Sequence, residues 1–275
     1  MHQISLGFSP CPNDTFIFDA LVHERVESGL HFQVRLEDVE TLNQLAREGI
    51  LDVTKVSYGV LPDLTADYVL LRSGGALGRG CGPLLVSRRL LRPQELENAR
   101  IAIPGRATTA NLLLRLFAPA AAEGVEMVYS EIMPAVAAGE VDAGLIIHES
   151  RFTYPEHGLV KVADLGEWWE GTTGLPIPLG GIVARRTLGE PMISLIESAI
   201  RASVEYAFAH PDASRAYVRA HAQELSDEVT RQHIDLYVND YSVDLGEHGE
   251  KAVRELFRRA EAAGIIAAGS RNPLL

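Results

Sequence analysis

Ala143-Gly144-Leu145-Ile146-Ile147-His148-Glu149-Ser150-Arg151-Phe152-Thr153-Tyr154 is the stretch from which the fold can be read. Val141 to Ile147 is a nearly continuous apolar run with β-branched residues, the pattern of a strand covered on both faces in a parallel sheet. At His148 the polarity changes, and four polar side chains follow with neither Gly nor Pro among them. The sequence therefore predicts an α/β fold with His148 at a strand's carboxyl end, where open α/β sheets bind their ligands. Imidazole is also the side chain whose ordinary pKa lets it accept and return a proton near neutrality. From position alone, a strand-end histidine bonded to a nearby carbonyl stands beside that reading.

Outward from this strand, the chain reads as two α/β units. Arg100 to Ile103 predicts a first strand of the second unit, ending at Pro104-Gly105-Arg106-Ala107-Thr108-Thr109-Ala110-Asn111. Thr108 or Thr109 is expected to cap the apolar helix that follows through Phe117, placing a hydroxyl and free N–H groups at a strand-to-helix turn. Val125 to Tyr129 reads as a strand and Ile132 to Ala138 as a helix. In the first unit, Ile4 to Phe8 predicts a strand that runs into Ser9-Pro10-Cys11-Pro12-Asn13-Asp14-Thr15. Asn13 or Asp14 is expected to cap the next helix, and Ser9, Asn13 and Asp14 become candidate cleft residues. Taken singly, each turn is explained by capping. A pair of them, one from each half of the chain, can face each other across a cleft.

Leu51 to Val56 predicts another strand, which ends in Lys55-Val56-Ser57. Lysine and serine at such a position can donate hydrogen bonds to a carboxylate or to sugar-like hydroxyls, although a solvated lysine is the default. Ser73 to Pro83 is rich in glycine but has no Gly-Lys-Ser/Thr ending and no Gly-x-Gly-x-x-Gly. A strand-like Leu84 to Ser87 follows it, so it reads as a flexible loop near the cleft rather than a phosphate loop. Leu91 to Asn98 is expected to be helical. Of the adjacent Trp168 and Trp169, at least one is expected in a core. From Pro191 the chain is helical, and the helices after Pro211 are expected to pack on the first domain, with His221, His233 and His248 on solvated helix faces or ends. The expected domains are 1–88 with 186–275, and 89–185.

Composition narrows the classes. With 25 Lys+Arg against 37 Asp+Glu in 275 residues the chain is acidic, and it has no basic run, which argues against a nucleic-acid partner. Two distant cysteines, Cys11 and Cys81, make neither a disulfide framework nor a zinc ribbon and fit a reducing cytoplasm. No export signal or membrane span is read from the sequence. His148-Glu149-Ser150-Arg151-Phe152 lacks the second histidine of a zinc helix, and no Gly-x-Ser-x-Gly elbow occurs. The expectation is proton-transfer chemistry on a small molecule in the cytoplasm, with no metal or cofactor, by a monomer or a homodimer.

Four phrases taken together, Ser9 to Phe16, Arg72 to Gly82, Pro104 to Thr109 and Ile146 to Tyr154, resemble the 1,4-dihydroxy-6-naphthoate synthase family of the futalosine route to menaquinone. The resemblance runs over essentially the whole chain. It implies a two-lobed, periplasmic-binding-protein-like (type II) fold with the active site between the lobes. It further implies cleavage of cyclic dehypoxanthinyl futalosine to 1,4-dihydroxy-6-naphthoate with release of dihydroxyacetone. His148 takes the place of the family's proton acceptor, and Lys55, Val56, Ser57, Thr108 and Thr109 the places of its substrate contacts. The alternatives are the chorismate dehydratase of the same route and a solute-binding protein for a small carboxylate.

Overall fold

The computed structural model describes residues 3–121, 124–222 and 226–267; the expected first domain's ends, 1–2 and 268–275, lie outside these. In chain order the first part comprises β1 (Gln3–Phe8), α1 (Pro12–Val22), β2 (His31–Leu36), α2 (Val39–Arg47), β3 (Val53–Ser57), α3 (Leu61–Leu64), β4 (Tyr68–Leu70) and β5 (Ala76–Gly78). Next come β6 (Leu84–Ser87), β7 (Ile101–Ile103), α4 (Thr109–Phe117), β8 (Val125–Glu126), α5 (Tyr129–Ala138), β9 (Ala143–Ile146), α6 (Ser150–Thr153), β10 (Val160–Asp164) and α7 (Leu165–Thr173). The chain closes with β11 (Ile177–Arg185), α8 (Glu190–Ala209), α9 (Arg215–His221), α10 (Asp227–Tyr237), α11 (Asp240–Val243) and α12 (Gly246–Ala262). None of these helices is long and apolar enough to cross a membrane.

Among the described residues two sheets form, one per lobe. The first has the order β2-β1-β3-β11-β4, with β5 also paired to β11, and the second the order β10-β6-β9-β7-β8. Both sheets are mixed. β1, β2 and β3 run parallel, but β11 is antiparallel to β3, β4 and β5. β9 is parallel to β7 and antiparallel to β6, so the wholly parallel sheet expected around the His148 strand is corrected. Alternation along these strands sorts their side chains between two cores. Leu84, Val86, Ala102 and Ile146 pack with α5, while Leu85, Ile101, Ile103 and Leu145 turn to the opposite face.

The lobe boundaries differ from the expected ones. β6, assigned by sequence to the first domain, belongs to the second sheet, and β11, assigned to the second, is a central strand of the first. An antiparallel strand inserted into an otherwise parallel array carries no local mark of which sheet it joins. The chain therefore crosses between lobes at residues 79–83 and again at 174–176. The glycine-rich segment is also more ordered than expected, because it contains β5 and is clamped from the C-terminal region. Asn239 Nδ2 donates to the Leu77 carbonyl at 2.9 Å, and Ser242 Oγ to the Gly75 carbonyl at 3.0 Å. Of the helix expected at 91–98, a single tight turn at Pro93–Glu97 forms.

α9 and α10 pack on α1 and α12 on β11, as expected for helices of the first lobe, and α12 also reaches α4 of the second. Val253, Leu256, Phe257 and Ala260 recur at helical spacing and enter the same core as Leu113 of α4 and Trp169 of α7. Full burial of each large apolar side chain in this stripe contributes roughly 1.5–3 kcal/mol. Trp169 is fully buried, with its indole N–H donating to the Pro176 carbonyl at 2.9 Å.

The first crossover depends on contact between two glycine backbones. A Cβ on Gly82 would lie 2.2 Å from Gly166 N, and one on Gly166 would lie 2.8 Å from Gly82 N. Gly82→Ala is expected to destabilise the fold by about 1–3 kcal/mol through overpacking against backbone, measured as a lower urea midpoint with an unchanged denaturant slope.

Candidate active site

The interlobe cavity is built from strand ends. From the first lobe Ser9, Asn13, Asp14, Lys55 and Ser57 line it, and from the second Thr108, Thr109 and His148, joined by Tyr237 of α10. Val56 does not. On β3 the side chains alternate, so Lys55 and Ser57 face the cavity while Val56 turns into the core beside Tyr58 and Leu70. A wider groove, lined by Arg88, Leu91, Gln94 and Asn98, brings together none of the residues singled out by sequence.

The start of α1 is organised differently from the expected cap. Cys11 is the N-cap residue and contributes no side-chain bond, which places Asn13 and Asp14 inside the first turn. Asp14 is there to accept. Its Oδ2 receives Ser9 N at 3.2 Å and Ser9 Oγ at 2.7 Å, and its Oδ1 receives Asn13 Nδ2 at 2.8 Å and Lys55 Nζ at 2.5 Å. Lys55 and Asp14 are both buried, so the lysine is not the solvated group that its type would suggest. A buried ion pair of this kind rarely adds net stability over an apolar pair, but loss of either partner strands a charge. Ser57 is oriented by Asn43, a residue the sequence reading passed over. Asn43 Oδ1 accepts from Ser57 N at 2.9 Å and its Nδ2 donates to Ser57 Oγ at 3.2 Å, which leaves the serine hydrogen free to point into the cavity.

Across the cavity Thr108 caps α4 as expected, accepting from Asn111 N at 3.2 Å and donating to the Gly105 carbonyl at 2.7 Å. The Thr109 hydroxyl does something else. It donates to the Leu179 carbonyl at 2.5 Å and accepts from Gly59 N at 3.2 Å, tying the second lobe to two segments of the first. Both threonine hydroxyls are therefore engaged within the protein. The α4 amides of Thr109 and Ala110, which precede the first intrahelical bond, are the groups this turn can offer a ligand.

His148 follows β9 with φ of +56°, a left-handed backbone conformation that non-glycine residues seldom adopt. Such strain costs on the order of 1–3 kcal/mol and is characteristic of residues held for function. The ring sits edge-on to Tyr129 with centroids 5.2 Å apart. Burial is the largest influence on its pKa and lowers it from the ordinary value of 6.5; a carboxylate charge at Glu149 or Asp14 would act in the opposite sense. The imidazole is thus neutral, with a lone pair available, at neutral pH. Cysteine chemistry is disfavoured by the same physics: burial pushes the Cys81 thiol up to about 12 and raises Cys11 well above its usual value.

His233 was expected on a solvated helix face, and this is corrected. It is fully buried, and its Nε2 lies 2.9 Å from Asn13 Oδ1. Its ring lies 4.5 Å from that of Tyr237 and 6.2 Å from that of His148. The available signal was the four-residue spacing of His233 and Tyr237, which puts both on one helix face. Glu149, likewise buried, accepts from the Tyr129 hydroxyl at 3.4 Å. No group of three or more His, Cys, Asp or Glu side chains placed to hold a metal ion occurs among the described residues.

Comparison with known proteins adds to this geometry. A family profile described as menaquinone biosynthesis matches residues 4–262. A curated relative from Thermus thermophilus, named 1,4-dihydroxy-6-naphthoate synthase, is 60% identical over 274 residues, covering 100% of this chain and 99% of the relative. One of the same name from Streptomyces coelicolor is 52% identical over 270 residues, covering 96% of this chain and 95% of the relative. Among solved structures, a protein from Archaeoglobus fulgidus matches with a TM-score of 0.92 at 37% identity, over 96% of this chain and 99% of that one. A Candida albicans gene product with the generic periplasmic binding protein fold matches with a TM-score of 0.72 at 12% identity, over 99% of this chain and 94% of that one. The two-lobed, periplasmic-binding-protein-like fold expected from sequence is the fold observed.

The lobes meet backbone to backbone at Gly59, where a Cβ would lie 2.6 Å from the carbonyl oxygens of both Ala107 and Thr108. Gly59→Ala is expected to hold the lobes apart and break the Gly59–Thr109 bond. Hydrogen–deuterium exchange should then speed up at least tenfold at the amides of residues 59 and 109–110, with the unfolding midpoint changed by only a few degrees.

Proposed function

We infer that this chain, which belongs to the menaquinone-biosynthesis family, is the lyase that converts cyclic dehypoxanthinyl futalosine to 1,4-dihydroxy-6-naphthoate and dihydroxyacetone. The observation that carries this reading is the half-buried His148, held in a left-handed backbone and facing a cavity whose opposite wall holds Lys55, Ser57 and Ser9. Full-length relatives named for that naphthoate support it.

The chemistry asks for little beyond a base and a shaped, dry site. His148 takes a proton from a hydroxyl of the ring-opened sugar portion. The oxygen's electrons then form a carbonyl as the neighbouring carbon–carbon bond breaks, in the manner of a retro-aldol cleavage; the released electron pair passes into the remaining ring system, which takes back a proton and becomes aromatic. A positioned general base of this type contributes on the order of 10²–10⁴-fold in rate. Lys55 and Ser57 donate to polar groups of the substrate, and the first-turn amides of α4 receive its anionic or hydroxyl end. The apolar walls at Val39, Ile147, Leu179 and Tyr237 suit the flat bicycle. Val56 contributes through the placement of its neighbours on β3.

His148→Ala is expected to fold, to retain naphthoate binding within about tenfold, and to lose at least about 10²-fold in kcat on cyclic dehypoxanthinyl futalosine. Turnover close to that of the parent protein would remove His148 from the role of base. The pH dependence has a definite sign. Only neutral imidazole accepts the proton, so kcat rises with pH through the pKa of His148, and burial places that midpoint below 6.5. A profile of kcat against pH should be level by neutrality. An acid limb centred at about pH 7.5 or higher would contradict the assignment.

A further inference from the structure

His233 of α10 in the first lobe and Glu149 beyond β9 in the second are both buried, and they meet across the seam. His233 Nδ1 lies 3.8 Å from Glu149 Oε2, and neither atom has a hydrogen-bond partner among the described residues. The other ring nitrogen settles the tautomer. Asn13 Nδ2 donates to Asp14 Oδ1, which Lys55 also reaches, so it is the carbonyl oxygen of Asn13 that faces His233 Nε2. Nε2 must then carry a hydrogen. In a neutral His233 this leaves Nδ1 as a bare acceptor aimed at a carboxyl oxygen, and two buried acceptors with no donor between them each lose the hydrogen bonds that water gave. A proton on either turns two facing acceptors into a donor and an acceptor; their 3.8 Å separation is that of an ion-pair contact, longer than a formed hydrogen bond.

We propose that His233 and Glu149 share a single proton across the seam, and that His233 is thereby a positioning residue for His148. This rests on the reading of His148 as the base. The link is short: Glu149 is the next residue after His148, whose left-handed backbone makes the direction of its ring depend on how the following residue is held. Anchored on His233 from one side and on the Tyr129 hydroxyl from the other, Glu149 fixes that turn. Asn13 continues the connection to Asp14 and Lys55 in the cavity wall.

The surroundings favour one proton over none. Cys11, just before α1, Tyr129 of α5 and Tyr237 of α10 act on Glu149, and Lys55 of β3 and His148 on His233, with Asp14 and Asp38 acting on His148. Lys55 and Asp14 are bonded to each other, and Asp38 is tied to its own helix start. A bare carboxylate at Glu149 beside a neutral His233 would be a buried charge without a counterion. Burial holds the His233 imidazole well below its ordinary value, with His148 and Lys55 acting in the same direction, which disfavours an isolated imidazolium there.

Three measurements test this. In protein carrying ¹⁵N-labelled histidine, long-range ¹H–¹⁵N correlations should show His233 Nε2 protonated and the ring unchanged between about pH 6 and about pH 8. A ring protonated only on Nδ1, or one that titrates in that range, overturns the proposal, and no turnover is needed to see either. Glu149→Gln places a permanent donor opposite Nδ1. The readout is the midpoint of the acid limb of kcat, which should stay within about 0.3 pH unit of the parent value, whereas a fall of about one unit or more shows that a carboxylate had been supporting the His148 imidazolium. His233→Phe keeps a ring and removes both nitrogens; kcat per folded molecule should fall about tenfold to a hundredfold with KM within about threefold. Unchanged kcat in folded His233→Phe overturns the positioning role, and if that variant does not fold the first two measurements still decide. Full activity in His148→Ala would instead remove the base while leaving the labelling result intact.

Discussion

The carboxylate of Asp14 is the constraint around which the site is arranged. It is buried, and a buried carboxylate demands donors, which here arrive from the end of β1 (Ser9), from its own helix turn (Asn13) and from the end of β3 (Lys55). Each donor's place is then fixed by a group that cannot move without stranding a charge. Asn13, turned by its bond to Asp14, presents its carbonyl oxygen to His233 and so determines which ring nitrogen carries hydrogen. One ionised group thus dictates the orientation of an amide, an ammonium, a hydroxyl and an imidazole in sequence. Replacement of the ion pair by apolar residues could leave the fold as stable, but nothing would then set those orientations.

Much of this was legible in the sequence, for a reason that also marks the limit. Residues at the carboxyl ends of strands are placed by the periodicity of the strand itself, so His148, Lys55, Ser57 and Thr108 could be located from the apolar runs before them. Neighbours brought in from distant elements could not. Asn43 on α2 and His233 on α10 look like ordinary polar residues on amphipathic helices, and only the packing of those helices turns them inward. Val56 is a different case. It stands between two cleft residues, yet the two-residue period of a strand sends it to the other face. β6 and β11 were assigned to the wrong lobes because the sheet a strand joins is decided by long-range pairing, which leaves no trace in four or nine residues.

The start of α1 shows why capping rules misled. Asn13 and Asp14 are good N-cap types, and Pro12 is at home in the first helical turn, so a cap just before the apolar run was the natural expectation. The proline decides otherwise. It takes the first helical position itself, which pushes the cap back to Cys11, whose side chain makes no capping bond. Asn13 and Asp14 are thereby freed from capping and turned toward the cavity and the seam. Polar residues that would usually satisfy their own helix are available to other elements because a proline has displaced the boundary by two residues.

Two lobes that meet at a cleft serve binding proteins as readily as enzymes, and the fold alone does not choose between them. What separates the cases is where the reactive group stands relative to the closing surfaces. Here the ion pair that orients the first lobe's donors and the histidine that can take a proton lie on different lobes. The contacts that join the lobes are tight: a threonine hydroxyl shared by Gly59 and Leu179, and a glycine backbone against two carbonyl oxygens. Contact between the lobes therefore brings groups from both to one cavity. The same contact half-buries the His148 imidazole. In this arrangement burial does two jobs with one surface: it lowers the pKa of His148 and it holds the groups around it in a single geometry.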